Sequence, residues 1–436
     1  MKLNYIDVDK ELRDYQSKHK NEIYQLWERV NSVMLQMPTG TGKTRLFSSI
    51  VKDIHNLSVK ERKAFKVLIL VHRKELVEQA SDTLGYKYNI AHGVIMSRYW
   101  QQKKLPTQIA SVQTLSRRLN QWEEKDFDFI IIDEAHHALA SSYLKICRTF
   151  PKAKILGVTA TPYRLNGASF NTIFEKLVIS QTINDFIRQN YLSDYKYFSI
   201  KPDSLVQKAI DDIDKFDVSG DYSEMAMIHA VDSKKVRADI LKAYKTYADG
   251  KKGIVYTINK KHNKHICELY CKQGINAKAI DSDTNAEERA SLIQQFKSGR
   301  VQILCNVNIF SEGFDCPDIE FIQIARPTTS LSLYLQQVGR GLRPHPEIEK
   351  VIFLDNVGSY NKFGLPSQER DWNKYFNGFN GEITNEEVNS DEEKLKFMSE
   401  IGDGKEDVEL LYSGLQEDEE YAEIENDNSN FDEICL

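Results

Sequence analysis

The sequence predicts an α/β chain of two tandem domains, each a parallel sheet flanked by helices, with an acidic C-terminal tail. Three observations predict it. Short apolar runs recur between stretches of helical spacing, the alternation comes in two series with a polar interruption between them, and 436 residues exceed what one ordinary hydrophobic core supports.

In the first series, SVMLQM (32–37), VLILV (67–71), FIIID (129–133) and ILGVT (155–159) are apolar runs that end in polar or glycine residues. Strands buried on both faces read this way. The amphipathic stretches Thr44–Leu57 and Arg73–Leu84 lie between them, so residues 1–182 read as strand-helix-strand units wound into one sheet. Residues 183–234 break the rhythm: IDDIDKFDVSGDYSEM is acidic with weak periodicity and reads as a partly helical connector. The second series, in 235–360, brings GIVYT (253–257), AKAID (277–281), QILCN (302–306), FIQIA (321–325) and VIFLD (351–355), with helices near 260–273, 286–298 and 330–342. From 361 to 436 the pattern fades into an acidic, asparagine-rich tail.

The net charge of −6 hides an asymmetry. Residues 381–436 hold 20 Asp and Glu against three Lys and no Arg, a net −17, which leaves the first 380 residues at +11. A basic body can face a polyanion, and it is also what a solvated surface of mixed charge looks like. No run approaches the roughly 20 apolar residues of a membrane span, and MKLNYIDVDK lacks the apolar region of a signal peptide, so a cytoplasmic protein with no membrane contact is expected. Cys147, Cys267, Cys271, Cys305, Cys316 and Cys435 form no C-x-x-C pair, which argues for free thiols over a disulfide framework or structural zinc.

The chemistry begins at QMPTGTGKTRL (36–46), where Met37 stands in place of the first glycine of G-x-x-x-x-G-K-[ST]. A strand precedes it and a helix follows, the setting of a phosphate-binding loop. Thr39, Gly40, Thr41 and Gly42 turn backbone N–H groups toward phosphate oxygens, Lys43 supplies a positive charge, and Thr44 offers a hydroxyl to Mg2+. Met37 enters the loop from the strand and need not approach phosphate itself. A second strand end, IIIDEAHH, places Asp133 to hold magnesium and Glu134 to act as general base toward the attacking water. His136 and His137 also suggest a metal, but H-E-x-x-H spacing is absent. In YLQQVGRGLRP, Arg340 and Arg343 are three apart and so share a helical face, with Gln336 one turn before Arg340. They are either transition-state cations for a γ-phosphate or ordinary arginines of a surface helix.

Taken in order, LRDYQ (12–16), MPTGTGKT (37–44), VHRKEL (71–76), DEAHH (133–137), TATP (159–162), NIFSEGFD (308–315) and QQVGRGLR (336–343) resemble the motifs of superfamily 2 helicases of the DEAH-box kind. SLSLYLQQVGRGLRP, FLDNVG and ERDW after GLP look most like the RadD-like and XPB-like DNA helicases of bacteria and phages. The resemblance implies two RecA-like domains with ATP between them. It implies that Arg13 and Gln16 recognise adenine, and that Gly313 and Asp315 meet the ribose or magnesium edge. It makes His136, Thr159 and Thr161 coupling residues. Arg73, Thr114, Tyr256 and Thr257 become contacts to a nucleic-acid backbone, so that strand sequence matters little and salt a great deal. RadD carries a cysteine-rich zinc region that this chain lacks, and neither a nuclease signature nor an obvious strand-splitting insertion stands out.

The expected activity is therefore that of an ATP-dependent DNA helicase or translocase in repair, recombination, replication or phage conflict. An RNA helicase and a nucleotide-switched subunit that recruits a partner such as a nuclease stand beside it. The tail, which keeps Leu410, Leu411, Tyr412, Leu415, Tyr421, Ile424 and Phe431 among its carboxylates, has three readings: a disordered segment, a docking segment for another protein, or a DNA mimic folding over the basic track.

Overall fold

The computed structural model describes residues 12–97, 99, 102–307, 309–310, 316–379 and 394–398. Two seven-stranded parallel sheets organise them. The first holds β1 (Ser32–Gln36), β2 (Val67–Val71), β3 (His92–Ile95), β4 (Thr107–Ser111), β5 (Phe129–Asp133), β6 (Lys154–Thr159) and β7 (Lys176–Ile179) in the order β3-β4-β2-β5-β6-β1-β7. The second holds β8 (Asp194–Ser199), β9 (Gly253–Tyr256), β10 (Ala277–Ile280), β11 (Ile303–Asn306), β12 (Phe321–Ile324), β13 (Lys350–Asp355) and β14 (Leu395–Phe397) in the order β10-β11-β9-β12-β13-β8-β14.

The apolar runs become the central strands because helices cover both faces of each sheet; β1, β2 and β5 are buried at every position. In the first sheet β1 and β5 are two strands apart, separated by β6. This brings the loops after Gln36 and Asp133 side by side, the place where parallel α/β sheets bind ligands. The helix Asp14–Trp27 is fixed to the helix Lys43–Glu61 by buried polar groups: Lys20 Nζ lies 2.7 Å from Asp53 Oδ2, which also accepts from the Tyr24 hydroxyl at 2.7 Å.

Two stretches differ from expectation. Residues 183–234, read as a connector, contain β8, which pairs in register with β13 from Asp194↔Lys350 to Ser199↔Asp355 and so belongs to the second sheet. Its aromatics Tyr195, Tyr197 and Phe198 are buried while Lys196 is exposed, a pattern that a short polar-looking strand conceals. The stretch beyond 360 is also built into the body. Helix Trp372–Phe376 stacks Phe376 on Phe170 of the first half, with ring centroids 6.3 Å apart, and β14 adds to the edge of β8. The remainder of the acidic tail, with Cys435, lies outside the described residues. Within the described residues, no helix is long and apolar enough to cross a membrane, and Cys147, Cys267, Cys271, Cys305 and Cys316 are free thiols.

Candidate active site at the domain seam

The loop after β1 turns through two glycines in left-handed conformation, Gly40 at φ +87° and Gly42 at φ +85°, before the helix begins at Lys43. Only glycine takes these angles without strain. A methyl carbon on Gly42 would lie 2.5 Å from Gln16 Nε2, so the loop also requires the missing side chain. Met37 follows the strand fully buried, donating its N–H to Thr159 O at 2.9 Å.

Two side chains of the helix Asp14–Trp27 grip this loop, and Arg13 at its start holds one of them. Gln16 Nε2 donates to Thr41 O at 3.1 Å and to Gly42 O at 3.2 Å, and the Tyr15 hydroxyl donates to Thr41 O at 2.7 Å. Arg13 Nη1 reaches the Tyr15 hydroxyl at 3.2 Å while its guanidinium carbon stands 4.7 Å over the Tyr191 ring. Tyr15 and Tyr191 are site residues that the sequence reading missed. Tyr15 sat unremarked inside LRDYQ, and Tyr191 lies in the stretch taken as connector.

Lys43 is buried and donates to Met37 O at 3.1 Å and Pro38 O at 3.3 Å. Burial lowers its pKa, the carboxylates of Glu134 and Asp133 raise it, and the guanidinium groups of Arg340 and Arg343 lower it again. Asp133 is 5% exposed, and burial together with the neighbouring Glu134 pushes its carboxyl up to about 7. Two carboxylates pressed together out of water, with the Thr44 hydroxyl beside the loop lysine, form a hard-oxygen donor set that a divalent cation would relieve. These residues fit magnesium. Among the described residues no cluster of three or more His, Cys, Asp or Glu is arranged to hold a metal.

Glu134 takes a left-handed conformation at φ +49°, rare for a side-chain-bearing residue, where β5 gives way to the short turn Ala135–His137. Its Oε2 lies 3.4 Å from His136 Nδ1. His136 Nδ1 also stands 3.2 Å from Thr159 Oγ1, and its Nε2 faces Gln336 Nε2 at 3.4 Å. From Thr159 a second path crosses the seam: Thr161 N donates to Thr159 Oγ1 at 3.2 Å, and Thr161 Oγ1 donates to Ser332 Oγ at 2.8 Å. Gln336 and Ser332 both belong to the helix Leu331–Gly339 of the second half. The base candidate is thus tied by buried hydrogen bonds to the other domain.

The same helix carries the arginines. It ends at Gly339, so Arg340 caps it and Arg343 lies in the following turn; the two do not share a helical face as their spacing suggested. Packing brings them to the loop nonetheless. A methyl carbon on Gly339 would lie 2.6 Å from Thr39 Cβ, and one on Gly40 would lie 3.5 Å from Arg343 Cγ. Arg340 is 5% exposed.

The expected nucleic-acid contacts separate. Arg73 and Thr114 are half-buried, and Arg73 lines an open groove of about 500 Å³ between the halves. Tyr256 and Thr257 do not face it. The Tyr256 hydroxyl donates to Phe310 O at 3.3 Å, and Thr257 Oγ1 donates to Asn263 Oδ1 and Asn306 O at 3.0 and 3.1 Å; both residues are 1% exposed. At the end of β9 and one residue beyond it, both hydroxyls are spent inside the protein. Gly313 and Asp315 lie outside the described residues.

The chain is similar to known proteins. The family described as the res subunit of type III restriction enzymes matches residues 9–164, and the helicase conserved C-terminal domain matches residues 235–345. A 51.5 kDa protein of Lactococcus phage (isolate 7-9) is 32% identical over 345 residues, covering 79% of this chain and 70% of the phage protein. IRC3 of Saccharomyces cerevisiae, which carries the name of an ATP-dependent helicase, is 33% identical over 364 residues, covering 80% of this chain and 52% of its own length. The chain therefore spans about half of that yeast relative. A fragment of an HsdR subunit of a type I restriction enzyme from Vibrio vulnificus YJ016 shares the fold with a TM-score of 0.63 at 20% identity, covering 84% of this chain and 67% of the fragment. Phosphate loop and paired carboxylates on one side of the seam, capped by arginines from the other, thus sit in a chain that belongs to the superfamily 2 helicases, enzymes that hydrolyse ATP.

Proposed function

We propose that this ATPase is a DNA motor, a helicase or translocase in which hydrolysis at the seam moves the two domains along a strand. The observation that carries the reading is the double tie across the seam: Gln336 to His136 and Ser332 to Thr161, beside arginines packed on the phosphate loop. A change at the γ-phosphate then alters contacts of both domains at once. DNA as the track is supported by the +11 charge of residues 1–380, by Arg73 and Arg164 in the interdomain groove, and by the restriction-enzyme setting of the first family and of the HsdR relative.

The residues divide the work. Arg13 and Gln16 face adenine, with Gln16 also holding the loop. Thr39, Gly40, Thr41 and Gly42 cradle phosphates, and Lys43 neutralises their charge. Thr44 and Asp133 would hold Mg2+, which when bound offsets charge on the phosphate oxygens. Glu134 takes the proton of the attacking water, held in place through His136. Arg340 and Arg343 stabilise the charge that develops on the leaving phosphoryl group.

ATP turnover measured in parallel with single-stranded, duplex and forked DNA and with RNA tests this. Stimulation by DNA above RNA is expected. Preferential stimulation by RNA would make the chain an RNA motor, and turnover indifferent to every nucleic acid would leave a nucleotide-switched binding subunit.

A further inference from the structure

The stretch from Lys215 to Ser223 forms a small hairpin that the ATPase site does not use. Phe216 and Tyr222 pair as an antiparallel bridge, their rings stacked 5.7 Å apart, and Ser223 N donates to Lys215 O at 2.9 Å. The Asp217 carboxylate holds the tip by accepting from the backbone N–H of Ser219 at 2.7 Å and of Asp221 at 3.2 Å, and Gly220 closes the turn at φ +88°. The base is clamped to the second domain. Buried Asp221 accepts from Arg326 Nη2 at 2.8 Å, Thr328 Oγ1 at 2.9 Å and the Thr329 N–H at 2.7 Å. A hairpin held this firmly presents its tip in one position.

The tip it presents is apolar. Val218, in the turn itself, is fully exposed, and Phe216, on the bridge that leads into the turn, is about half exposed. Val218 and Ser219 form one wall of the open interdomain groove, whose other walls include Arg73 and Arg164 of the first domain. Gly220 lies close to Leu165, so the tip reaches across the seam. Tyr163, Leu165 and Leu333 line the groove beside the two arginines, yet the Val218 side chain stands fully exposed in it. A polynucleotide matches both features, with phosphates for the arginines and base faces for the valine and phenylalanine.

We propose that the Phe216–Tyr222 hairpin is a base-contacting wedge, with Val218 and Phe216 packing on unpaired bases of a strand whose phosphates lie along Arg73 and Arg164. This rests on the reading of the chain as a nucleic-acid motor. Because the phosphate contacts are common to any backbone and the wedge needs an open base face, the hairpin makes the groove prefer single-stranded or forked DNA over closed duplex.

Val218 supports no packing, so substitutions there leave the fold intact, which unstimulated ATP turnover verifies. With the full chain and fluorescein-labelled single-stranded and blunt duplex DNA, Val218→Ser is expected to weaken single-strand binding about fivefold, and Val218→Trp to tighten it by a similar factor through a larger stacking face. Duplex binding stays unchanged in both. Wild-type affinity for single strands in both variants would overturn the wedge, and so would equal shifts for single strand and duplex. A wild-type chain that turns over ATP but binds neither DNA would instead remove the motor reading, and the wedge with it.

Discussion

At the residue scale, the site depends on a few charges held out of water. Lys43 is buried between backbone carbonyls and two carboxylates, so its removal takes away the compensation for Asp133 and Glu134 and, on the proposed function, a phosphate contact. Lys43→Ala is expected to reduce ATP binding at least about 100-fold, as read by fluorescent nucleotide titration. Glu134→Gln keeps shape and hydrogen bonding but cannot take a proton, so it should bind ATP normally and turn over at least about 10³-fold more slowly. Normal turnover in that variant would refute its role as base. These residues were legible in the sequence because a phosphate loop and a strand-end carboxylate pair are local patterns. Tyr15 and Tyr191 were not, since their contribution is a hydroxyl and a ring face brought to the loop from elsewhere in the chain. Tyr256 and Thr257 were placed wrongly for the same reason: spacing gives the strand end but not which way a side chain is spent.

At the element scale, helix Leu331–Gly339 carries the coupling. Thr161→Val keeps volume and deletes the hydroxyl that donates to Ser332. Unstimulated turnover should stay within about threefold while stimulation by DNA falls about tenfold, the worth of one buried hydrogen bond; undiminished stimulation would show that this contact transmits nothing. The helix Lys260–Lys272 offers a separate test. His262 is fully buried, its Nδ1 accepting from the Ile258 N–H at 3.2 Å, and burial pushes its pKa from 6.5 down to about 4 despite nearby Asp232. Between those values the unfolded chain binds a proton that the folded one refuses, so this residue makes stability fall as pH drops from 6.5 to 4, by roughly 3 kcal/mol. Urea unfolding across that range should show a shallower slope in His262→Gln; an unchanged slope would contradict it. Legibility followed burial here too. β2 and β5 were plain as continuous apolar runs, whereas HGVI in β3, TQIAS in β4 and DYKYFS in β8 mix polar residues into short strands and gave no comparable signal.

At the scale of the whole molecule, the two sheets matter for what they hold between them. The first supplies lysine, carboxylates and phosphate loop, the second supplies arginines, and the segment between the sheets contributes both Tyr191 under Arg13 and the hairpin above the groove. On the proposed reading none of these parts completes a catalytic site alone, and the position of one domain on the other would decide whether ATP is cleaved. Turnover and nucleotide affinity measured together in Arg340→Ala test that claim most directly. ATP binding should stay within a few-fold of wild type while DNA-stimulated turnover falls by about 10³; turnover within tenfold of wild type, with binding intact, would show that the second domain's arginine takes no part in cleavage.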